Sequence, residues 1–357
     1  MRGSPIDSPP CATAPAARFG PQAAQPKLPP ASKNGDKHLE RLKNQRGSAL
    51  PAMPRVRQTA RRCASQNAGW SGAGKMSVWR GLVRRPVAMV GLVIAVAFVL
   101  VALAAPAISP YSPQEQFFDG LTLEGAPLPP NERFWLGTDL LGRDLLSRMV
   151  YGARTSLVVG LFANGIALLA GTLIGLTAGF LRGPIGSILM RSTDLMMAFP
   201  ALILAIVIAA LAGPNLKNVI LVIALVNTGP VARVVFAETS SLAEREFIAA
   251  ERAIGAGTSR ILFRHILPHL LPIIIVWGTL GISTTVLFEA ILSYLGVGVQ
   301  PPEPSWGNIV YDGQSYFQSA PWLVFFPGFA VALLALSVNL VGDALRDLLD
   351  PTLRGRH

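Results

Sequence analysis

Side chains that could carry out catalysis or bind a metal are few and scattered along the chain. The 357 residues include four histidines and two cysteines, Cys11 and Cys63, which both lie near the N-terminus. His265 and His269 are four residues apart, so they could bind a metal from one face of a helix, but no third ligand lies nearby. The residues after 86 contain no nucleophile–histidine–acid set and no paired carboxylates. We therefore expect no metal, no cofactor and no catalytic function.

A second set of informative residues is polar and lies inside apolar stretches. Glu289, Asn164 and Asn339 are the main candidates, and Asn227 is a further one. A polar or ionisable group in such a setting is costly unless it is paired, so it is a candidate for function. Glu289 is the strongest candidate. It could line a polar path or make a hydrogen-bonded contact between helices, and the residues alone favour neither.

The segment Gly69–Met76 approaches the pattern of a phosphate-binding loop. The pattern requires Ser or Thr at the position of Met76, to bind magnesium, and a buried strand before the loop. Neither is present, since Gln, Asn and Ala precede the segment. We interpret it as a chance match.

Residues 1–79 form a basic tail rich in Pro, Ala and Ser. Residues 1–86 contain 16 Lys and Arg but only 3 Asp and Glu, whereas the rest of the chain is slightly acidic. The tail has no apolar periodicity, so we expect it to be disordered. It could touch anionic lipid or nucleic acid, and translation could instead start at Met76. The body, residues 80–357, gives no reason to expect a nucleic-acid partner.

The composition of the body is that of a membrane protein. Hydrophobic residues make up 51% of the chain and charged residues 14%, against about 25% charged residues in soluble domains. A spanning helix needs about 20 apolar residues. Six stretches qualify: Val87–Ile108, Ser156–Phe180, Leu195–Ala212, Val219–Val235, Leu271–Leu295 and Trp322–Val341. We predict an all-α membrane protein with six transmembrane helices in a multi-pass bundle surrounded by lipid.

The first apolar stretch has an alternative interpretation as a cleaved secretory signal. Arg84 and Arg85 precede it, and Ala104–Ala107 resembles a cleavage site. A signal core is typically 7–15 residues long. The uncharged run from Pro86 to Gln114 is longer, so we favour a retained helix.

The distribution of arginine predicts that both ends of the chain face the cytoplasm. Cytoplasmic loops are enriched in Lys and Arg. The arginines expected on that side are Arg80, Arg84, Arg85, Arg182, Arg191, Arg233, Arg245, Arg252, Arg260, Arg264, Arg346, Arg354 and Arg356. The segment Gly296–Pro321 has no Lys or Arg and is expected outside. Arg191 is also expected to pair with Asp194, one helical turn away.

Three glycines in the second apolar stretch lie on one helical face. Gly171, Gly175 and Gly179 recur every four residues, a spacing that lets two helices approach closely. The pattern favours packing inside this subunit, with a subunit interface as the alternative.

The polar segment between the fourth and fifth stretches is predicted to form two short cytoplasmic helices. The first begins near Glu244 and ends at Gly255, and the prolines Pro268 and Pro272 are expected to stop the second before the fifth span. Phe247 and Ile254 lie seven residues apart on one face. They could anchor in a partner's groove or pack against this subunit's own spans.

This segment resembles the cytoplasmic loop of permease subunits of ATP-binding-cassette importers. That loop reads roughly Glu-Ala-Ala, three residues, Gly, nine residues and Ile-x-Leu-Pro. Here AAERAIG at Ala249–Gly255 and RILFRHILP at Arg260–Pro268 match its spacing. Ala249 replaces the usual glutamate, Glu251 follows two residues later, and His265 replaces the isoleucine.

Three longer motifs resemble the C-type permeases of dipeptide, oligopeptide and nickel importers. They are LGTDLLGRDLLSRMVYGAR at Leu136–Arg154, LSYLGVGVQPPEPSWG at Leu292–Gly307 and NLVGDALRDLLDPTLR at Asn339–Arg354. With the spans between them, the likeness covers nearly all of residues 80–357. The usual tryptophan is missing near Asn227–Pro230.

The resemblance implies a type I (MetI-like) importer permease fold with cytoplasmic coupling helices. It also implies a bacterial plasma-membrane location and partners: a homologous B-type permease, two ATPase subunits that bind ATP, and an extracytoplasmic solute-binding protein. The residues implied in coupling to the ATPase are Phe247, Ala249, Ala250, Glu251, Ala253, Gly255 and Pro268. The acidic residues Asp139, Asp144, Glu303 and Asp312 are candidates for contacting the binding protein. We expect a non-catalytic subunit that forms half of a path for di- or oligopeptides. The alternatives are a path for nickel or another small solute, and a self-sufficient secondary transporter.

Overall fold

A computed structural model describes residues 78–181, 183–213 and 215–349. Within these ranges the regular elements are helices, joined by turns and two isolated β-bridges. The α-helices are α1 Val78–Val83, α2 Pro86–Leu103, α3 Ala105–Ile108, α4 Leu145–Phe180, α5 Pro184–Met197, α6 Ala201–Ala212, α7 Leu216–Ala243, α8 Glu246–Ala253, α9 Thr258–Arg260, α10 Leu267–Tyr294, α11 Trp306–Gly313 and α12 Trp322–Leu349. A π-helical segment, Ile261–Ile266, joins α9 to α10. The predictions for residues 1–77, Arg182, Arg354 and Arg356 lie outside the described residues.

The described helices confirm a multi-pass membrane protein. Five are long and apolar enough to cross a membrane: α2, α4, α7, α12 and the continuous rod Thr258–Tyr294. A sixth crossing results if α5 and α6 together form one bent span. The all-helical fold therefore agrees with the prediction, and the predicted six crossings are reached if the bent pair counts as one.

The third apolar stretch is broken, and the prediction of one helix over Leu195–Ala212 was wrong. Leu195 and Met197 belong to α5, and α6 leaves at 90° to it after a break at Pro200. Proline disfavours a helical conformation in the residue before it and cannot donate a backbone hydrogen bond, so it favours a corner here. A smaller break at Ala104 splits the first stretch into α2 and α3 before Pro106.

The expected stop before the fifth span is absent from this part of the structure. Pro268 lies in the first turn of α10 and Pro272 lies inside it, yet helix continues from Thr258 to Tyr294. The π-helical turn at Ile261–Ile266 precedes both prolines. Proline is tolerated in the first helical turn, and the wider π turn changes the backbone register before it.

Helices α4 and α7 form the tightest packing in the bundle. An added Cβ at Gly171 would lie 2.7 Å from the Val231 side chain, and one at Gly175 would lie 2.5 Å from the Ala232 carbonyl oxygen. A Cβ at Gly179 would lie 2.7 Å from the Thr239 Cβ. The three glycines thus place the α4 backbone directly against α7 of the same subunit.

The end of the bundle opposite α8 is closed by the segment before α4 and by α11. The indole of Trp306, at the start of α11, is buried and donates a hydrogen bond to the Met149 carbonyl at 3.0 Å. Gly152 leaves room for that ring, since a Cβ there would lie 2.9 Å from it. Trp306 therefore helps to hold α11 against the first turns of α4.

Candidate functional site: helix α8 and the polar contacts of the bundle

One of the side chains that attach helix α8 to the bundle was missed by the sequence interpretation. Ile248 is fully buried in a cluster with Ile261, Leu262 and Ile266. It directly follows Phe247 and so lies on a different face, which a search for a seven-residue spacing would overlook. Its signal is an apolar residue seven positions before the turn at Gly255. Burying such a side chain stabilises the attachment of α8 by about 1.5–3 kcal/mol.

The two residues predicted as anchors have different surroundings. The Phe247 ring stacks on the His269 ring, with 5.4 Å between centroids and 27° between planes, and its residue keeps 37% of its surface exposed. Ile254 is 79% exposed at the C-cap of α8. Phe247 therefore packs partly on this subunit's own chain, whereas Ile254 projects from it.

Two further contacts connect α8 to neighbouring elements. The guanidinium of Arg252 lies 4.9 Å from the centre of the Phe180 ring, at the end of α4. The Glu251 Oε1 atom lies 3.6 Å from His265 Nε2 in the π-helical segment. Helix α8 is thus in contact with two membrane-crossing elements, α4 and the rod that contains α10.

The remaining residues of the predicted coupling set lie on the outer side of α8, in the turn after it and at the start of α10. Ala249, Ala250 and Ala253 are exposed, so α8 presents a surface of small side chains. Gly255 has φ +81°, and nothing lies within 4 Å of an added Cβ. Glycine is required there by backbone conformation and not by crowding. Pro268 is exposed near the start of α10.

The polar residues inside the spans make contacts between helices. Glu289 on α10 is fully buried and accepts hydrogen bonds from Ser156 of α4 at 3.0 Å and Ser293 at 2.8 Å. Asn164 Nδ2 donates to the Gly278 carbonyl at 2.6 Å. Asn339 is half-buried on α12.

Asn227 makes a further contact between two helices, since its amide donates to Thr285 Oγ1 at 3.3 Å. Together with Asn164 and Glu289, it joins α10 to both α4 and α7. Each of these polar groups therefore has a partner inside the bundle.

A cluster of buried charges at the opposite end of the bundle was not anticipated from sequence. Asp139 accepts hydrogen bonds from Arg143 Nε, at 2.6 Å, and from Arg148. Asp312 of α11 lies 3.6 Å from Arg148 and 3.9 Å from Arg143. Partial burial raises the pKa of Asp312, and Arg148 and Arg143 act against this rise. The available signal was the alternation of Asp and Arg in the motif at Leu136–Arg154.

The expectation that Asp139 and Asp144 contact a soluble partner was wrong. Both residues are only 1% exposed. Asp144 caps α4 by accepting from the Ser147 amide at 2.8 Å, and Asp139 belongs to the charge cluster. Glu303 is exposed, and Asp312 is partly exposed.

The predicted pairing of Asp194 with Arg191 was also wrong. The structure pairs Asp194 with Arg233 of α7, at 2.6 Å, and so ties α5 to α7. Asp194, Arg191 and Met190 line a cavity of about 560 Å³ between α4, α5 and α7. The third predicted crossing is therefore connected to the fourth through this pair.

His265 and His269 contact each other through a backbone group. His269 Nδ1 lies 2.6 Å from the His265 carbonyl oxygen, which places a proton on that nitrogen. Among the described residues, no three His, Cys, Asp or Glu side chains could together hold a metal ion.

Two parts of the chain match models of known protein families. Residues 171–355 match the model of the binding-protein-dependent transport system inner membrane component, and residues 76–130 match the N-terminal TM domain of oligopeptide transport permease C. The chain belongs to the family of binding-protein-dependent transport system inner membrane components. It is therefore a permease subunit of an ATP-binding-cassette importer, as the sequence motifs predicted.

Several curated relatives are similar over most of their length. The chain is 44% identical to the dipeptide transport system permease protein DppC of Alkalihalophilus pseudofirmus, over 78% of this chain and 91% of the relative. It is 42% identical to the di/tripeptide permease DppC of Pseudomonas aeruginosa, over 77% and 91%. It is 38% identical to the glutathione permease GsiD of Pectobacterium atrosepticum, over 77% and 90%. A chain of the MetNI methionine transporter, in an inward-facing form, aligns with a TM-score of 0.49 at 19% identity, over 58% of this chain and 98% of that one.

Proposed function

We propose that this chain forms half of a path for di- or oligopeptides across a bacterial plasma membrane. Its partners are a homologous B-type permease, two ATPase subunits and an extracytoplasmic solute-binding protein. The names of the relatives support the substrate class, since they include dipeptide, di/tripeptide and glutathione permeases. The subunit itself is non-catalytic, and the ATPase subunits bind ATP.

The attachment of α8 is the observation that carries the proposed mechanism. A coupling element must be fixed to the spans and must also offer a surface to the motor. Ile248 fixes α8 to the bundle, while Ile254 and the exposed alanines provide the surface for a partner. The motor side is then cytoplasmic, in agreement with the distribution of arginine.

The proposed cycle is an exchange between two arrangements of the spans. ATP binding brings the two ATPases together, and each pushes on the permease helix seated in it. Helix α8 passes this movement to α4 and to the rod that contains α10, because it contacts both. The spans then rock between inward-facing and outward-facing forms.

The polar residues inside the spans have a supporting role in this proposal. Glu289, Asn164 and Asn227 keep α10 in register with α4 and α7 through hydrogen bonds. The helices can then move as a unit without leaving a buried polar group unpaired.

The test is transport by the complete complex in lipid vesicles. The chain, its B-type permease, the ATPases and the binding protein are reconstituted, and ATP-driven uptake of a labelled dipeptide is compared with that of an oligopeptide and a nickel chelate. We expect peptide uptake and substrate-stimulated ATP hydrolysis. If the complex takes up the nickel chelate and neither peptide, the proposed substrate class is wrong. Uptake by this chain alone under an ion gradient would instead indicate a secondary transporter.

Phe247→Ala provides a test of the coupling role. This change removes the stacking on His269 and part of the exposed face, while Ile248 keeps α8 attached. We expect assembly to be retained, with uptake reduced several-fold relative to ATP hydrolysis. Wild-type uptake and wild-type stimulation of hydrolysis in this variant would contradict the proposed role.

A further inference from the structure

Glu251 and His265, two polar residues on either side of the turn at Gly255, lie against each other in the fold. Glu251 lies on α8, and His265 lies in the π-helical segment that leads into α10. The two are fourteen residues apart in sequence, yet Glu251 Oε1 lies 3.6 Å from His265 Nε2. A carboxylate and an imidazole at this distance attract each other when the imidazole is protonated.

The Nε2 atom of His265 lacks a hydrogen-bond partner among the described residues. The atom is also buried in the structure. A buried polar atom without a partner is destabilising. The Glu251 carboxylate is within 0.8 Å of a normal 2.8 Å charge-assisted hydrogen bond. A small movement of α8 toward the π-helical segment would therefore form that bond.

Phe247 and His269 form a second pair between the same two elements, one helical turn away from Glu251 and His265. Phe247 precedes Glu251 by four residues, and His269 follows His265 by four, so each pair shares a helical face. Phe247 stacks on His269 while Glu251 approaches His265. The His269 Nδ1 contact with the His265 carbonyl joins the two histidines. The contact between α8 and the start of the fifth span is thus built from two matched pairs.

We propose that Glu251 and His265 are positioning residues, which lock α8 to the fifth span during ATP-driven movement. This inference rests on the proposed function of α8. As a polar pair, the glutamate and the histidine connect α8 to the start of the fifth span. The hydrogen bond between them forms in the state in which the ATPase pushes α8 toward the π-helical segment.

The test is a double-mutant cycle on the reconstituted complex. Glu251→Ala, His265→Ile and the double variant are compared with the wild type, and Glu246→Gln, an exposed acid on the same helix, is the matched control. The measured quantity is the number of ATP molecules hydrolysed per substrate transported. We expect each single variant to raise this ratio several-fold and the double variant to raise it no further. Glu251→Gln, which keeps a hydrogen-bond acceptor, should restore most of the wild-type ratio, and the control should leave it unchanged.

Other outcomes would overturn the proposal. If the two single effects multiply in the double variant, or if both singles keep the wild-type ratio, the residues do not act as a pair. A loss of assembled complex, with the ratio unchanged in what remains, would indicate a purely structural role. Failure of the wild-type complex to couple ATP to uptake would refute the proposed function instead, so the two failures are distinguishable.

Discussion

At the scale of single residues, two glycines of the coupling loop have different requirements. Gly255 has φ +81°, which side chains with a Cβ rarely adopt, whereas Gly257 has φ −66° in the extended region. Neither would meet a neighbouring atom if a Cβ were added. Backbone strain is therefore the only difference that alanine would introduce between them.

We predict that Gly255→Ala weakens coupling and Gly257→Ala does not. The left-handed conformation costs a residue with a Cβ roughly 1–2 kcal/mol, so the turn after α8 should relax and change the direction of that helix. Uptake per ATP in vesicles measures the effect. Equal behaviour of the two variants would show that the turn geometry at Gly255 does not matter.

At the residue scale, burial also predicts that two arginines contribute differently to the stability of the subunit. Arg148 is buried against Asp139 and Asp312, whereas Arg133 pairs with Asp119 at the surface. Removing one partner of a buried pair typically costs about 3–5 kcal/mol, and surface pairs contribute about 0–1 kcal/mol.

Arg148→Met should therefore lower the melting temperature of the purified complex in detergent by several degrees. Arg133→Met, which also removes contacts of the guanidinium with the Phe117 and Phe134 rings, should lower it much less. A similar melting temperature for both variants would mean that the charge cluster does not hold α11 to the bundle.

At the scale of elements, the sequence predicts crossings better than it predicts their ends. The apolar runs identify the crossings because each must cover about 30 Å of hydrocarbon. The prolines are ambiguous, since Pro200 ends a helix while Pro268 and Pro272 do not. Pro268 follows a π-helical turn and lies in the first turn of α10, and the local sequence carries no pattern for that turn.

In the candidate site too, features that depend on neighbouring residues are predictable from sequence, whereas contacts between separate segments are not. Spacing identifies α8, Gly255 and the glycines of α4, because these depend on neighbouring residues. The attachment through Ile248, the approach of Glu251 to His265 and the contact of Arg148 with Asp312 depend on residues that are not neighbours in the chain. Those partners follow only from the fold.

The packing of α4 against α7 predicts a strong difference between two glycines of one helix. Gly175 has the Ala232 carbonyl oxygen 2.5 Å from its added Cβ, whereas Gly165 has nothing within 4 Å. Gly175→Ala should push the helices apart and destabilise the subunit by roughly 1–3 kcal/mol, the cost of overpacking.

Gly165→Ala is the matched control, and it should be neutral or stabilising by up to about 1 kcal/mol because alanine favours a helix. Thermal unfolding in detergent compares the two variants. Equal stability would show that α4 and α7 do not pack as closely as described.

At the scale of the whole molecule, the chain is a bundle with two differently built ends. One end carries α8, where an apolar residue and small side chains are exposed. The other end is closed by the buried charge cluster and by Trp306, which hold α11 against α4. An attached helix with an exposed surface at one end and a closed opposite end agree with the proposed role of α8 in passing movement to the spans.

The most direct test is whether α8 touches an ATPase in the assembled complex. A photo-crosslinking amino acid is placed at Ile254, which is 79% exposed, and at Leu123 as an exposed control at the opposite end. After illumination, we expect position 254 to crosslink to an ATPase subunit with a yield that changes on ATP binding. We expect no crosslink to the ATPase from position 123. Crosslinking of the ATPase from position 123, or none from position 254 in a complex that transports, would contradict the proposed role of α8.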